Sequence, residues 1–335
     1  MNQTECIEAE AAVIDTGYNI VRVIQIICGI TTLILILKVI LSYRTKQVKL
    51  HKNLIVLVIN VLLLDALFVL SFTSTDILNF YVNFTYKNSC DCFFQVWVVY
   101  LVRIPFYLYV AGSPLIHFAI MIERIIATIF VRIYENQGKL IAVASTIIVW
   151  LLTFTYGFYV YISSIEDSTF SHPMVYLTLT SIYNAHVLIY FHYFFLFLVI
   201  CIASADYYLI LRNQKIKSNF FSSITSYSLS QSYQAKQNIL VMRIIFPLDF
   251  SYSFVFALFN ILSSFIRSKR DDYGQLIYMR TYEAIILLLF IHAIIKLIIY
   301  DYFLRKQNDL NKNFIKNNKN VSSEFYFKSL NYAWK

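Results

Sequence analysis

Among the ionisable residues inside long apolar stretches of the chain, five are hard to dismiss: Asp65, Arg103, Asp249, Glu283 and Lys296. A charge deep in a bilayer costs at least about 2.5–3.5 kcal/mol on insertion scales, so each needs a partner or a task. For Asp65 and Lys296 an internal polar network is favoured over ligand contact. Arg103 precedes Arg124 by 21 residues, about 32 Å of helix, which places it near the mouth of a long span, in a ligand cavity or on its rim. Lys38 lies about one turn from the end of its stretch and can snorkel. Aromatic side chains could line such a cavity: Tyr107, then Tyr183, His186 and Tyr190, then Tyr252 and Phe256, then Tyr278 and Tyr282. Tyr183, His186 and Tyr190 stand at i, i+3 and i+7, on one helical face. Pro105, Pro114 and Pro247 remove backbone donors in the same stretches, and bends there open cavities. Aromatics make up 18% of the chain, and for any single ring packing against lipid or a neighbouring helix is the commoner role.

Enzymatic chemistry fares poorly. The six His form no H-x-x-H or H-x-x-x-H pair, and His186 and His192 are spaced too far for one helical face, which argues against a zinc or di-iron membrane hydrolase or desaturase. No G-x-S-x-G, P-loop or Asp-rich metal helix occurs. Lys296 invites comparison with a Schiff-base lysine, but it lies about two turns from the basic exit at Arg305, too deep for a chromophore seated in the outer half. No catalytic residue, metal or cofactor is expected.

The elements that hold these residues follow from composition. Hydrophobic residues are 59% of the 335 and charged residues 14%, against roughly 45–50% and 25% in soluble domains, so the chain is a membrane protein. Only six Gly and four Pro leave long helices to carry it. Seven runs reach the length of about 20 residues that a bilayer requires: 20–42, 53–73, 94–122, 140–163, 182–211, 241–266 and 277–304. None alternates with period two, which excludes a β-barrel. The sequence thus predicts an all-α seven-helix bundle over 20–304, with an N-terminal segment 1–19 and a tail 305–335.

Charge in the loops predicts orientation, because basic loops resist translocation. Arg44, Lys46, Lys49 and Lys52, then Arg212, Lys215, Lys217 and Lys236, then the basic tail, fall on one side; the acidic N-terminus and Glu166/Asp167 fall on the other. This puts the N-terminus outside and the C-terminus inside, against Arg267, Lys269, Arg270 and Arg280 in an outer loop. The acidic start is no cleavable signal peptide, so the first span serves as the targeting signal. The net charge of +9 reads as topology and not as a nucleic-acid surface. Sequons at Asn2 and Asn83 lie outside, where glycosylation can occur, and one at Asn320 lies inside. Of five cysteines, Cys28 and Cys201 sit in spans, while Cys6, Cys90 and Cys92 lie outside, where Cys6 is expected to bridge to Cys90 or to Cys92.

The third span ends Glu123-Arg124-Ile125-Ile126-Ala127-Thr128, followed by Tyr134-Glu135. An adjacent Glu-Arg pair there resembles the acidic residue and Arg that close the third helix of seven-helix G-protein-coupled receptors. The longer string is similar to the nematode serpentine chemoreceptors of the Sra superfamily, which includes the Sra, Srab, Srb and Sre types. A second match precedes the sixth span: Tyr227-Ser228-Leu229-Ser230, then Tyr233-Gln234-Ala235-Lys236-Gln237-Asn238-Ile239, similar to that family's Y-S-L-S-x-R-Y-Q-x-x-E-N-I. Ser232 and Gln237 replace its Arg and Glu, so an expected charge pair is missing. Cys6, Cys90/Cys92, Arg103-Ile104-Pro105 and Tyr282-Glu283 also fit. Rhodopsin-like marks are absent: the last span ends Ile299-Tyr300-Asp301-Tyr302 instead of Asn-Pro-x-x-Tyr, and the loop before the fifth span lacks Cys.

The resemblance implies a chemosensory receptor in the plasma membrane, in sensory cilia of chemosensory neurons, with a small-molecule ligand and a heterotrimeric G protein as partners. Ligand contact would fall to Arg103, Tyr107, His186, Tyr190, Tyr252, Phe256, Tyr282 and Glu283. Coupling would fall to Glu123, Arg124, Tyr134, Glu135, Tyr233 and Asn238, with Arg124 as a switch released from Glu123 in one state. The alternative is a transporter or channel that uses Asp65, Asp249 and Lys296 as a polar path. The odd span count and the absence of an inverted repeat weigh against it.

Overall fold

The computed structural model describes residues 3–45, 51–130, 134, 138–180, 182–222 and 229–319. Eight helices of twelve residues or more carry most of them: α1 Gln3–Ile14, α2 Thr16–Thr45, α3 Lys52–Thr85, α4 Val96–Ile129, α5 Leu140–Ile165, α6 Ile182–Ser222, α7 Leu229–Ser268 and α8 Gln275–Lys319, with one further turn of helix at Arg270–Tyr273. Seven of them, α2 to α8, are long and apolar enough to cross a membrane. Helices suit that medium because every mid-span backbone group finds its partner within the segment. Among the described residues no strand forms; one isolated bridge pairs Phe94 with Met174.

Helix α2 shows how the bundle is sorted. Its exposed stripe is Ile20, Ile27, Ile34 and Leu41, a strict seven-residue repeat that lipid can cover, while Arg22, Gln25, Gly29 and Thr32 turn inward. A Cβ on Gly29 would run into the Thr73 hydroxyl of α3, so glycine sets how closely these two helices approach. Helix α4 is central, touching α3, α5, α6 and α7, and it runs unbroken through Pro105 and Pro114. Around it Phe68 stacks on Tyr109 at 4.7 Å and meets Phe290 at 4.6 Å, and Phe72 meets Phe106 at 4.8 Å.

Several helices run past the bounds that hydropathy predicts, among them α4 to Ile129, α6 to Ser222 and α7 from Leu229. Helix α3 continues to Thr85 instead of ending near Thr73, because Asp76 and Asn79 are buried and need not be shed into a loop. Helix α8 continues to Lys319, past the expected end of the bundle at 304, since its polar last turns need no bilayer to stay helical.

The N-terminal segment is a helix rather than a plain leader. In α1 the small or apolar residues Cys6, Ala9, Ala12 and Val13 recur on one face and are buried, but twelve residues with several Glu carry no span signal. Cys6 is joined to Cys90, Ser89 donates to Glu10 at 2.5 Å, and Cys92 is left free and buried beneath the bridge. The neighbouring Asp91 accepts the backbone N–H groups of Asn88 and Lys87 at 2.9 and 3.1 Å, which hold its carboxyl below the usual range. Asn83 stands half-buried in the last turn of α3; Asn2 and Asn320 lie outside the described residues.

Candidate functional site

Polar side chains inside the bundle gather in three tiers. At the disulfide end Arg103 of α4 meets Glu283 of α8 at 2.5 Å, and Gln25 of α2 donates to the Glu283 carbonyl at 2.9 Å and to its carboxylate at 3.3 Å. Arg103 also lies over the Phe72 ring at 4.6 Å. Beside them Arg22 covers the Tyr18 ring at 3.6 Å and donates to the Ala12 carbonyl at 3.3 Å. Asp76, buried with one oxygen unpartnered, is an electrostatic neighbour of Arg103, Arg22 and Glu283. Two cations and two carboxylates therefore share one dry volume.

Above this tier opens a vestibule of about 590 Å³, walled by α1 through Glu5 and Glu8, by the α5–α6 loop through Phe170, Met174 and Tyr176, and by Arg270. Tyr176 donates to Glu8 at 3.4 Å, and burial followed by the Glu8 charge pushes its phenol up. Thr180 on the vestibule wall contacts the Tyr107 hydroxyl at 3.2 Å and accepts from Arg267 at 3.2 Å. Arg267 donates in turn to Tyr282 at 3.3 Å. A single hydroxyl thus links the open vestibule to side chains of α4, α7 and α8. The basic residues before and in the first turns of α8 are engaged here: Arg267 is buried, Lys269 pairs with Asp272 at 2.9 Å and Arg280 with Asp15 at 3.5 Å.

In the middle tier Lys296 pairs with Asp65 at 2.7 Å, and His117 contacts Asp249 at 2.8 Å while stacking on Tyr252 at 3.8 Å. Asp206 of α6 is buried with both carboxylate oxygens unpartnered. The third tier closes the opposite end. Arg124 binds Glu123 through two donors and donates to the Tyr134 hydroxyl at 3.1 Å. Tyr134 contacts Glu123 and lies 2.6 Å from His51 Nδ1, with the two rings 4.2 Å apart. Burial pushes the Tyr134 phenol up, so the hydroxyl keeps its one proton and offers it to two acceptors.

A fully buried Glu-Arg pair latched by a tyrosine ten residues on is a specific arrangement, and it coincides with a specific sequence match. The family profile of serpentine type seven-transmembrane G-protein-coupled receptors, class ab chemoreceptors, matches residues 6–335. The chain belongs to this family. No individual curated protein matches it significantly. It is therefore a multi-pass membrane chemoreceptor, of a receptor family and not of an enzyme class.

Among the ligand candidates read from the chemoreceptor's sequence, Arg103 and Glu283 come together with each other, and Tyr107 and Tyr282 come together through Thr180 and Arg267. Tyr252 and Phe256 are buried deeper, stacked at 5.2 Å next to His117. Two candidates are corrected. His186 and Tyr190 are exposed on the outside of α6, Tyr190 by 71%. His186 and Tyr190 share that exposed side, and α6 is apolar nearly all round, so periodicity does not fix which face turns inward. Lys38 is not simply snorkelling: it pairs with Asp301 at 3.2 Å, which also binds Ser42 and Arg305. Glu135 and the side chains of Tyr183, Tyr233 and Asn238 lie outside what the structure describes. Sequence reasoning passed over Arg22, Gln25, Asp76, His117 and Asp206; a search for any polar residue at buried periodic positions, beyond formal charges in mid-span, would have found them.

Proposed function

We propose that this chemoreceptor binds a small molecule in the vestibule at the disulfide end and activates a heterotrimeric G protein at the Glu123–Arg124 end. The N-terminus then lies outside the cell and the C-terminus inside, with Asn2 and Asn83 on the glycosylated face and sensory cilia as the site of action. The carrying observation is Thr180, a residue of the vestibule wall whose hydroxyl bonds to both Tyr107 and Arg267. An occupant that changes this contact acts on α4, α7 and α8 at once, and α4 ends in the latch. Tyr107 and Tyr282 stand behind the vestibule wall, joined to it through Thr180 and Arg267, and respond to the ligand from there, with Tyr252 and Phe256 below them; Arg103 and Glu283 form the floor that couples α4 to α8. Glu123, Arg124 and Tyr134 form the switch, and Glu135, Tyr233 and Asn238 extend the G-protein surface. In a transporter Asp65, Asp249 and Lys296 would face a wet path; here Lys296 holds Asp65 and His117 holds Asp249, which favours the receptor. Reconstitution of the receptor in nanodiscs with a G protein tests this: a cue that stimulates nucleotide exchange supports it, and solute flux through protein-only vesicles with no exchange overturns it.

A further inference from the structure

The guanidinium of Arg267 is a buried charge beside the vestibule with no anion bound to it. It is only 8% exposed, its Nε has no partner, and its remaining bonds go to neutral hydroxyls, Thr180 and Tyr282. Its electrostatic neighbours are the phenols of Tyr282, Tyr278 and Tyr107. Among the described residues no carboxylate pairs with it, whereas Arg103, Arg124, Lys296 and Arg280 each have one. A buried cation without an anion is costly, and a guanidinium is shaped to take a carboxylate through two donors. Thr180, whose hydroxyl accepts from Arg267, is a residue of the vestibule wall, so Arg267 stands one side chain behind that wall and an anion reaches it by displacing one weak acceptor. Arg270, on the same wall, adds positive potential.

The rest of the vestibule narrows the class. Phe93, Phe170 and Met174 offer apolar surface, and Glu5 and Glu8 make the α1 side acidic. We infer that the ligand is a small monocarboxylate, its carboxylate held by Arg267 and its apolar body lying against Phe93, Phe170 and Met174. A second negative group would face Glu5 and Glu8 and be disfavoured. This rests on the vestibule being the receptor's ligand site.

The test is thermal unfolding of the purified full-length receptor with hexanoate and benzoate, their methyl esters, adipate and hexylamine. Monocarboxylates should raise the melting temperature saturably. Esters and hexylamine should need at least about tenfold more ligand for the same shift, since a charge-assisted bidentate contact is lost, and so should adipate, since its second carboxylate faces Glu5 and Glu8. Arg267→Gln should abolish the hexanoate shift and, with no ligand, unfold no earlier than wild type, because it removes an unpaired buried charge. If Arg267→Gln does not fold, Arg267→Lys carries the test: it keeps the charge, loses the fork and should weaken the shift without abolishing it. Equal stabilisation by esters or hexylamine, an unchanged response in the Arg267 variants, or no stabilisation by either monocarboxylate overturns the inference. A neutral or cationic cue that drives nucleotide exchange equally in wild type and variant removes the inference and leaves the receptor reading intact. Arg267-dependent monocarboxylate binding without any exchange does the reverse.

Discussion

Arg103 and Glu283 stand 180 residues apart in sequence and 2.5 Å apart in the bundle, both buried. Removing either leaves a charge in a dry place, but the two removals are unequal. Asp76 is already a neighbour of Arg103, so Glu283→Gln leaves the arginine a second carboxyl group beside it. Arg103→Met leaves Glu283 and Asp76 with Arg22 alone, and Arg22 is already engaged with Tyr18 and Asn19. Loss of the cation should therefore destabilise by about 3–5 kcal/mol, the usual scale for breaking a buried pair, and Glu283→Gln by clearly less. Thermal unfolding in detergent checks the order; equal losses in the two variants would refute the asymmetry, and melting temperatures at the wild-type value would remove the pair from the stabilising core.

The disulfide end makes a separate prediction. With Cys6 bonded to Cys90, Cys6→Ser or Cys90→Ser should lower surface expression, since the bridge closes a long loop of the unfolded chain and pins α1 over the vestibule. Cys92→Ser should be tolerated. Burial pushes the Cys92 thiol up to about 11, so a thiol-directed reagent at pH 7.5 should label it only after unfolding. Mass spectrometry of non-reduced peptides reads both points, and a Cys6–Cys92 peptide would refute the assignment.

At the opposite end, His51 makes the latch sensitive to acid. Burial, joined by Arg124 and Lys52 and opposed by Glu123, holds the imidazole below its ordinary value of 6.5. Its Nδ1 accepts the Asn53 N–H at 3.3 Å as the cap of α3, a role that only the neutral ring fills. Because the folded pKa is the lower one, the unfolded chain takes the proton first. The contribution is full above pH 6.5 and is lost as pH falls through the folded value. Unfolding temperature should thus drop with acidification below pH 6.5, and His51→Asn, which keeps a capping acceptor, should flatten that part of the profile. A profile unchanged by the substitution would clear His51.

How much of this was legible in the sequence depended on what kind of fact it was. The seven spans were, because burial in lipid demands long apolar runs and 59% hydrophobic residues supply them. Asp65 and Lys296 could be named one at a time from their depth, but their pairing could not, since 231 residues separate them and only the bundle's packing brings α3 to α8. Helix α1 escaped notice because its buried face is made of Cys6, Ala9, Ala12 and Val13, too small to register as hydrophobic periodicity. Asp206 escaped because a single carboxylate in an otherwise apolar helix near its inner end looks like a boundary.

The latch makes the sharpest functional prediction. Arg124 lies 21 residues beyond Arg103 on α4, about 32 Å away along the axis, so no ligand in the vestibule reaches it. It is nonetheless the hub of its tier, bound to Glu123 and to Tyr134. Arg124→Ala should therefore reduce stimulated nucleotide exchange by an order of magnitude or more, about the scale of losing one or two charge-assisted hydrogen bonds, while ligand affinity shifts only modestly through linkage. Tyr134→Phe separates a switch from a static brace. It removes the hydroxyl that Arg124 and Glu123 share but leaves the ion pair, so the closed arrangement is weakened and Arg124 survives to act. Basal exchange should rise in Tyr134→Phe and fall in Arg124→Ala, measured on surface-expressed receptor at matched density. If both variants reach the surface and both exchange at the wild-type rate, with and without ligand, the Glu123–Arg124–Tyr134 cluster holds the loop in place and does not switch.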